Sequence, residues 1–306
     1  MKLLTFENRT DWLEARRAYL CASEVPKLFG LFGSPLTLYA QKTKSAVNDG
    51  ASIAMRWGIL DQAAILTMAR ETLGLNVTAW PENVSVVAEV DGVPMMATPD
   101  GLDTAAGVVY ECKSFEVVTA EKMDAARLQV QAQMLVCGVT RGVILCRRGN
   151  RALAVEEVEA DEAVRADIIA RAKTFWACVR DGRLPEPIGV EGEADVIAEH
   201  FPEINDAVTV EIPAAHIMEL ERVKEVKKKA EAEIERLEAE IRMLMGDAKF
   251  AKGGGYTVTR SRYERVSPCY VKAEAKAKLE AAGIEYTGGG MAIVDTLRVK
   301  RDKGGK

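Results

Sequence analysis

The sequence predicts a mixed α/β (α+β) domain, then a long coiled-coil-like helix and a small α+β tail. Helical and strand-like patterns alternate with short turns from Trp12 to about Arg183. The strand-like runs are rich in Val and Ile and are bounded by Asp91-Gly92, Asp100-Gly101 and Gly149-Asn150. Past a Pro/Gly break at Asp181-Gly182-Arg183-Leu184-Pro185-Glu186-Pro187, the chain turns into a Lys/Glu-rich helical stripe.

Taken in order, residues 10–20 and 23–30 read as helices, the second preceded by Ala22-Ser23 and carrying Glu24 in its first turn. Residues 54–74 form a long helix through Met55, Ile59, Leu60, Ala63, Leu66, Met68 and Leu73 that stops at Gly74. Strands are expected at 84–90, 93–98, 107–113, 142–147 and 153–158, with helices at 119–137 and about 161–181. Together they give a mixed sheet flanked by helices.

This first domain spans 1–187, a linker follows at 188–215, and residues 216–306 form an arm and a tail. The arm is a helix at 216–246 with Ala230, Ile234, Leu237, Ile241 and Leu244 at alternating four and three spacing. Such a stripe serves oligomerisation, folds back as a hairpin, or docks a partner. Its Lys227-Lys228-Lys229 run reads as a solvated face. The tail adds a strand at 256–260, a helix at 272–282 and a strand at 291–299. Its glycine triplets at 253–255 and 288–290 lack a following Lys-Ser/Thr, so they read as turns and not phosphate loops.

Composition narrows the function. At 48% hydrophobic and 28% charged, the 306 residues describe a soluble globular protein. No window reaches the roughly 18 uncharged apolar residues of a membrane helix. Glu7, Arg9 and Asp11 interrupt any signal-peptide core, so the expectation is a cytoplasmic protein without membrane association. The six cysteines (Cys21, Cys112, Cys137, Cys146, Cys178, Cys269) are scattered without a CxxC pair, which argues for buried thiols over zinc or iron–sulfur ligation. With His200 and His216 as the only histidines, catalysis must run on carboxylates and lysines. The net charge of −5 hides an acidic body and a basic tail: residues 249–306 hold 13 Lys+Arg against 6 Asp+Glu, a net of +7. That tail meets a polyanion or pairs with acidic protein surface.

The chemistry-bearing stretch is Ala97-Thr98-Pro99-Asp100-Gly101-Leu102 followed by Val108-Val109-Tyr110-Glu111-Cys112-Lys113-Ser114. Strand alternation puts Glu111 and Lys113 on one face and Tyr110 and Cys112 on the other. Antiparallel pairing across the intervening residues brings Asp100 beside Glu111. Two neighbouring carboxylates repel unless one is protonated or a cation lies between them, and such oxygen ligands suit Mg²⁺ or Mn²⁺. A lysine alongside can orient a water and stabilise phosphate charge, which is a toolkit for phosphodiester hydrolysis. The plainer alternative is an Asp-Gly turn with an ordinary Glu–Lys pair on a solvent face.

The spacing of Pro99-Asp100, ten residues and Glu111-Cys112-Lys113 resembles the PD-(D/E)xK nuclease signature. The flanks are similar to those of the YqaJ-like viral recombinases, related to lambda exonuclease. These flanks are Trp12-Leu13-Glu14-Ala15-Arg16, Cys21-Ala22-Ser23, Arg56-Trp57-Gly58 and Gln129-Val130-Gln131, in that order across roughly residues 12–185. The resemblance implies a restriction-endonuclease-like core in which Asp100 and Glu111 bind metal, the Cys112 carbonyl completes the shell and Lys113 is catalytic. It places Gln131, with Gln129, near the metal and the scissile phosphate, and assigns Arg16 and Ser23 to the phosphate at the DNA end. For Ser23 the structural alternative is a helix N-cap.

One position departs from the pattern. Where the family places a metal-binding glutamate, this chain has Gln62, with Asp61 one residue earlier. One residue turns a helix by about 100°. Either Gln62 binds through its amide oxygen, or Asp61 reaches in, or the site holds fewer ions. The implied function is a Mg²⁺- or Mn²⁺-dependent exonuclease that resects double-stranded DNA ends in phage-type recombination, as a homo-oligomer working with a single-strand annealing protein. The alternative is a non-catalytic DNA-end or protein-binding module with a degraded site.

Overall fold

The computed structural model describes residues 2–44, 53–149, 152–266 and 291–301. The sequence-predicted helix at 272–282, the glycine triplet at 288–290 and Cys269 lie outside them. The chain divides into two compact units, residues 1–204 and 205–306.

The first unit is a mixed α/β structure with two sheets. One has the order β1-β4-β5-β2, built from β1 (Lys2–Thr5), β2 (Leu20–Cys21), β4 (Val84–Val90) and β5 (Val93–Ala97). The second has the order β3-β6-β7-β8-β9, built from β3 (Thr78–Ala79), β6 (Gly101–Asp103), β7 (Val108–Phe115), β8 (Arg141–Arg148) and β9 (Ala152–Glu159). The helices are α1 (Arg9–Arg16), a 3-10 helix at Ala22–Phe29, α2 (Pro35–Thr43), α3 (Ile53–Leu73), α4 (Ala120–Cys137), α5 (Glu162–Asp181) and α6 (Glu193–His200).

Local chemistry sets these boundaries. The β4–β5 hairpin turns on Asp91 and Gly92, both at positive φ (50° and 80°), which favours an Asp-Gly pair in a two-residue loop. Helix α4 opens where the Thr119 side chain accepts the Lys122 N–H, and α5 opens where Asp161 accepts from Ala163 and Val164. Helix α2 begins at Ser34 followed by Pro35, a cap signal the sequence carries although no helix was expected there. Ser23, for which an N-cap was the structural alternative, lies inside the 3-10 helix, whose start is fixed by the Cys21 N–H donating to Glu24 at 2.9 Å.

Strands β7 and β8 are parallel, and α4 makes the crossover between them. Their two faces bury different cores. Val108, Tyr110, Val143 and Leu145 pack under Ile65, Leu66 and Ala69 of α3. Val109 and Ile144 pack against Met123, Ala126, Val130 and Met134 of α4. Gly142 lets α4 lie close on β8, since a Cβ there would collide with Val130.

The segment 188–215, expected to be a linker, contains α6, and its first part belongs to the first unit. Glu193 accepts the backbone N–H groups of Ile188, Gly189 and Val190, which folds this stretch into a turn. The second unit contains α7 (Ala214–Met245) and an antiparallel sheet of order β10-β11-β12, with β10 (Phe250–Gly253), β11 (Tyr256–Val266) and β12 (Met291–Arg301). Among the described residues no helix is long and apolar enough to cross a membrane.

Candidate active site

The chain leaves the first sheet at Ala97, bends through Thr98-Pro99-Asp100 and enters the second sheet at Gly101. The bend fixes Asp100. Its N–H donates to Tyr110 O at 3.1 Å, Gly101 pairs with Tyr110, and its Oδ2 accepts the Cys112 N–H at 2.6 Å. The aspartate therefore sits directly across from Glu111 on β7.

Glu111 and Lys113 follow Val109 on the face that packs against α4, so α4 supplies their partners. Lys113 Nζ donates to Glu111 Oε1 at 2.7 Å and to Gln129 Oε1 at 2.9 Å. Gln133 Nε2 donates to Glu111 Oε2 at 2.6 Å. Glu111 is 4% exposed, so it is a buried carboxylate and not half of an ordinary Glu–Lys pair on a solvent face. Gln129 and Gln133, one helical turn apart, hold the lysine and the glutamate from above.

Burial, and then the Glu111 charge, push the Asp100 carboxyl well above the usual carboxylate range against the opposing Cys112 N–H and Lys113. Burial also works against the Lys113 ammonium, but Glu111 and Asp100 outweigh it and raise the lysine. With both carboxylates ionised the cluster is one positive charge short, a deficit that a proton on Asp100 or a bound cation removes.

One atom of this cluster is left over. Gln133 Oε1 is buried and has no hydrogen-bond partner. Flipping the amide does not relieve it, because the flip would set the oxygen against Glu111 Oε2. A buried acceptor without a donor, on a side chain that also bonds Glu111, has the chemistry of a water or cation-bound water site. Among the described residues no group of three or more His, Cys, Asp or Glu side chains gathers as a ligand set. The available set is instead two carboxylates plus neutral oxygens, and that set fits a hard divalent ion such as Mg²⁺.

The cluster opens into a cleft of about 1260 Å³ whose walls carry seven Lys or Arg against five Asp or Glu. Arg16, Ser23, Asp61, Gln62, Asp100, Glu111, Cys112, Lys113 and Gln129 all line it. Arg16 is held from two sides: its Nη2 donates to Glu24 Oε1 at 2.9 Å and its guanidinium lies 4.5 Å from the Trp12 ring centre. A smaller cavity of about 530 Å³ between Trp12, Trp80 and Met96 shares Asp100 with the cleft and includes Gln133. Asp61 Oδ2 accepts from Arg147 Nη2 at 2.7 Å, and Arg147 Nε donates to Ser114 Oγ at 3.3 Å. Gln62 lines both cavities.

Gln131 does not join this group. Its Nε2 donates to Glu159 O at 2.7 Å and its Oε1 accepts from Asp161 N at 3.1 Å, so it ties α4 to the β9–α5 turn. Two residues turn a helix by about 200°, which takes position 131 away from the face of 129 and 133. The Gln-x-Gln reading therefore needs moving by one step: the pair that meets β7 is Gln129 and Gln133. The i, i+4 spacing of those glutamines was the available signal.

No family model matches the chain, and no curated protein matches it. Solved structures with some likeness include an alkaline exonuclease from Laribacter hongkongensis, at 19% identity over 56% of this chain and 93% of that one, with a TM-score of 0.46. A phage-related exonuclease from Haemophilus somnus 129PT gives 10% identity over 53% and 94%, with a TM-score of 0.43. A putative exonuclease from Eubacterium rectale gives 10% identity over 70% and 98%, with a TM-score of 0.38.

Proposed function

We propose that the protein is a divalent-metal-dependent nuclease that shortens linear double-stranded DNA from its ends, in a phage-type recombination system with a single-strand annealing partner. The reading rests above all on the juxtaposition of Asp100, Glu111 and Lys113, with Asp100 set across from Glu111 and Lys113 bonded to Glu111 at 2.7 Å. Asp100, Glu111 and the Cys112 carbonyl would hold Mg²⁺ or Mn²⁺, with Gln133 Oε1 and Gln62 as neutral oxygens at its border. Once bound, such an ion supplies a Lewis acid and an activated water.

The remaining work falls to the chain's own groups. Lys113, positioned by Gln129, offers its ammonium to the negative charge that builds on the scissile phosphate. Gln133 and Lys113 fix both oxygens of Glu111, so the carboxylate does not have to reorient during the reaction. Arg16, braced by Glu24 and stacked on Trp12, keeps N–H groups for a terminal phosphate, and Ser23 lies exposed in the same cleft. Asp61 already carries the Arg147 ion pair, which favours Gln62 as the α3 residue nearer the metal.

A second reading, a DNA-end or protein-binding module without catalysis, is favoured by Gln62 and by the lack of a third acidic ligand among the described residues. One experiment separates the two: digestion of a linear duplex labelled at either end, with Mg²⁺ or with chelator, and with 5′-phosphate or 5′-hydroxyl termini. Loss of label dependent on Mg²⁺ and on an open end supports the nuclease. Retention of intact duplex by a protein that still binds it supports the module.

A further inference from the structure

Helix α7 is the longest element of the chain, 32 residues or about 48 Å, and only Met245 on it is buried. Its charged residues satisfy one another along the helix, as in Arg222–Glu219, Arg236–Glu233 and Arg242–Glu238. Most of its apolar residues have no such recourse: Leu220, Val223, Ile234 and Leu237 are between 43% and 57% exposed, while Ile241 is half-buried. An apolar stripe of this length, interrupted at Lys227, calls for another surface to cover it.

The order of residues along the stripe identifies that surface. With Ile234 and Ile241 at heptad position a, Leu220 and Lys227 also fall at a, and Val223, Ala230, Leu237 and Leu244 fall at d. We infer that α7 is the seam of a parallel, in-register, two-stranded coiled coil formed by two copies of this chain. Isoleucine at a with leucine at d, repeated in the last two heptads, is the combination that favours two parallel strands. A single lysine at a, here Lys227, fixes register and keeps the strand number low at a cost in stability.

The flanking charges agree with the parallel arrangement. It sets Glu219 at g of each helix against Lys224 at e of the other, twice by symmetry. The like-charged flanking pair it creates, Glu233 with Glu238, is countered within each helix by Arg236 and Arg242. An antiparallel pairing of the same core would gain an equal attraction, Lys224 with Glu238, and would set Glu231 against Glu231 and Glu233 against Glu233, so the choice of the parallel arrangement rests on the order of isoleucine and leucine in the core. The inference is independent of the nuclease reading, since none of the cleft residues lies on α7.

Light scattering after gel filtration of the full chain at micromolar concentration tests it. The expected mass is twice the 33.4 kDa of one chain, and Leu237→Glu should bring it to one chain. Lys227→Ile should resist dilution at least about tenfold better than the wild type. Because it removes a destabilising core charge, this second variant reports on the seam even where Leu237→Glu misfolds. Leu244→Cys should form an intermolecular disulfide on mild oxidation, well beyond the wild type carrying its native cysteines. A single-chain mass for the wild type, as for a stripe covered by its own chain or by an unrelated partner, overturns the inference. So does a trimer, a dimer indifferent to both variants, or a Leu244→Cys protein that crosslinks no better than the wild type.

Discussion

Replacing Glu24 with glutamine changes one atom group in the most enclosed ion cluster of the first unit. Glu24 is 5% exposed and accepts from Lys42 Nζ at 2.5 Å, Arg16 Nη2 at 2.9 Å and the Cys21 N–H at 2.9 Å. The Lys42 side chain is 1% exposed, so Glu24→Gln leaves a buried ammonium without its anion. Removing one partner of such a pair costs roughly 3–5 kcal/mol. Lys42 keeps the carbonyls of Arg16 and Tyr19 at 2.7 and 2.8 Å, which places the expected loss near the lower end, about 3 kcal/mol. In a unit of this size that lowers Tm by roughly 6–12 °C.

The same residue gives a pH signature. Burial alone would raise the Glu24 carboxyl, but Arg16 and Lys42 overcome it and hold it below the usual range. A depressed carboxyl stabilises the fold above the ordinary glutamate range and loses that contribution as pH falls through its lower folded value. Urea denaturation of wild type and Glu24→Gln should therefore show the full gap at pH 7 and a shrinking gap below about pH 4. Adding Lys42→Met to Glu24→Gln should recover most of the loss, because the orphaned charge is gone. A gap under about 1 kcal/mol at pH 7, or a double variant no better than the single, would refute the reasoning.

Four further outcomes follow from the site and its support. Gly142→Ala should destabilise the fold by about 1–3 kcal/mol in denaturant titration, because the new methyl meets Val130 where α4 lies on β8. Gln133→Leu should weaken Mn²⁺ binding in calorimetry by about tenfold or more through the lost bond to Glu111, worth about 1.5–3 kcal/mol. Gln131→Leu should lower Tm and leave Mn²⁺ affinity unchanged, since its amide serves the β9–α5 turn. Gln62→Glu should raise metal affinity, and Asp61→Ala should then be nearly silent in that background; loss of binding on Asp61→Ala in both backgrounds would make Asp61 the ligand.

The Asp100, Glu111 and Lys113 cluster was legible because it depends on two local rules. A strand has a period of two, and an antiparallel connection sets Asp100 opposite Glu111. The long helices α3, α4, α5 and α7 were legible from periodicity, and α3 also from its stop at Gly74. Strands β1, β2, β3 and β6, two to four residues each, are too short to display a period and exist through their partners. Helix α2 hides between glycines, although Ser34-Pro35 announced it. The Gln129 and Gln133 pairing was obscured because the Gln-x-Gln resemblance points to Gln131, where a helical face requires i, i+4. Nothing local announced that Glu24, Lys42 and Arg16 would meet, because that cluster joins three elements across up to 26 residues.

The most direct test of the central claim is the rate at which wild type and Lys113→Ala degrade an end-labelled linear duplex across a Mg²⁺ titration, with metal affinity measured on the same samples. An ammonium is no metal ligand, so Lys113→Ala should bind Mg²⁺ or Mn²⁺ much as the wild type does. It should cleave at least about 100-fold more slowly, since the charge that meets the scissile phosphate is gone. Full activity in Lys113→Ala, or wild-type cleavage that persists in chelator, would contradict the account.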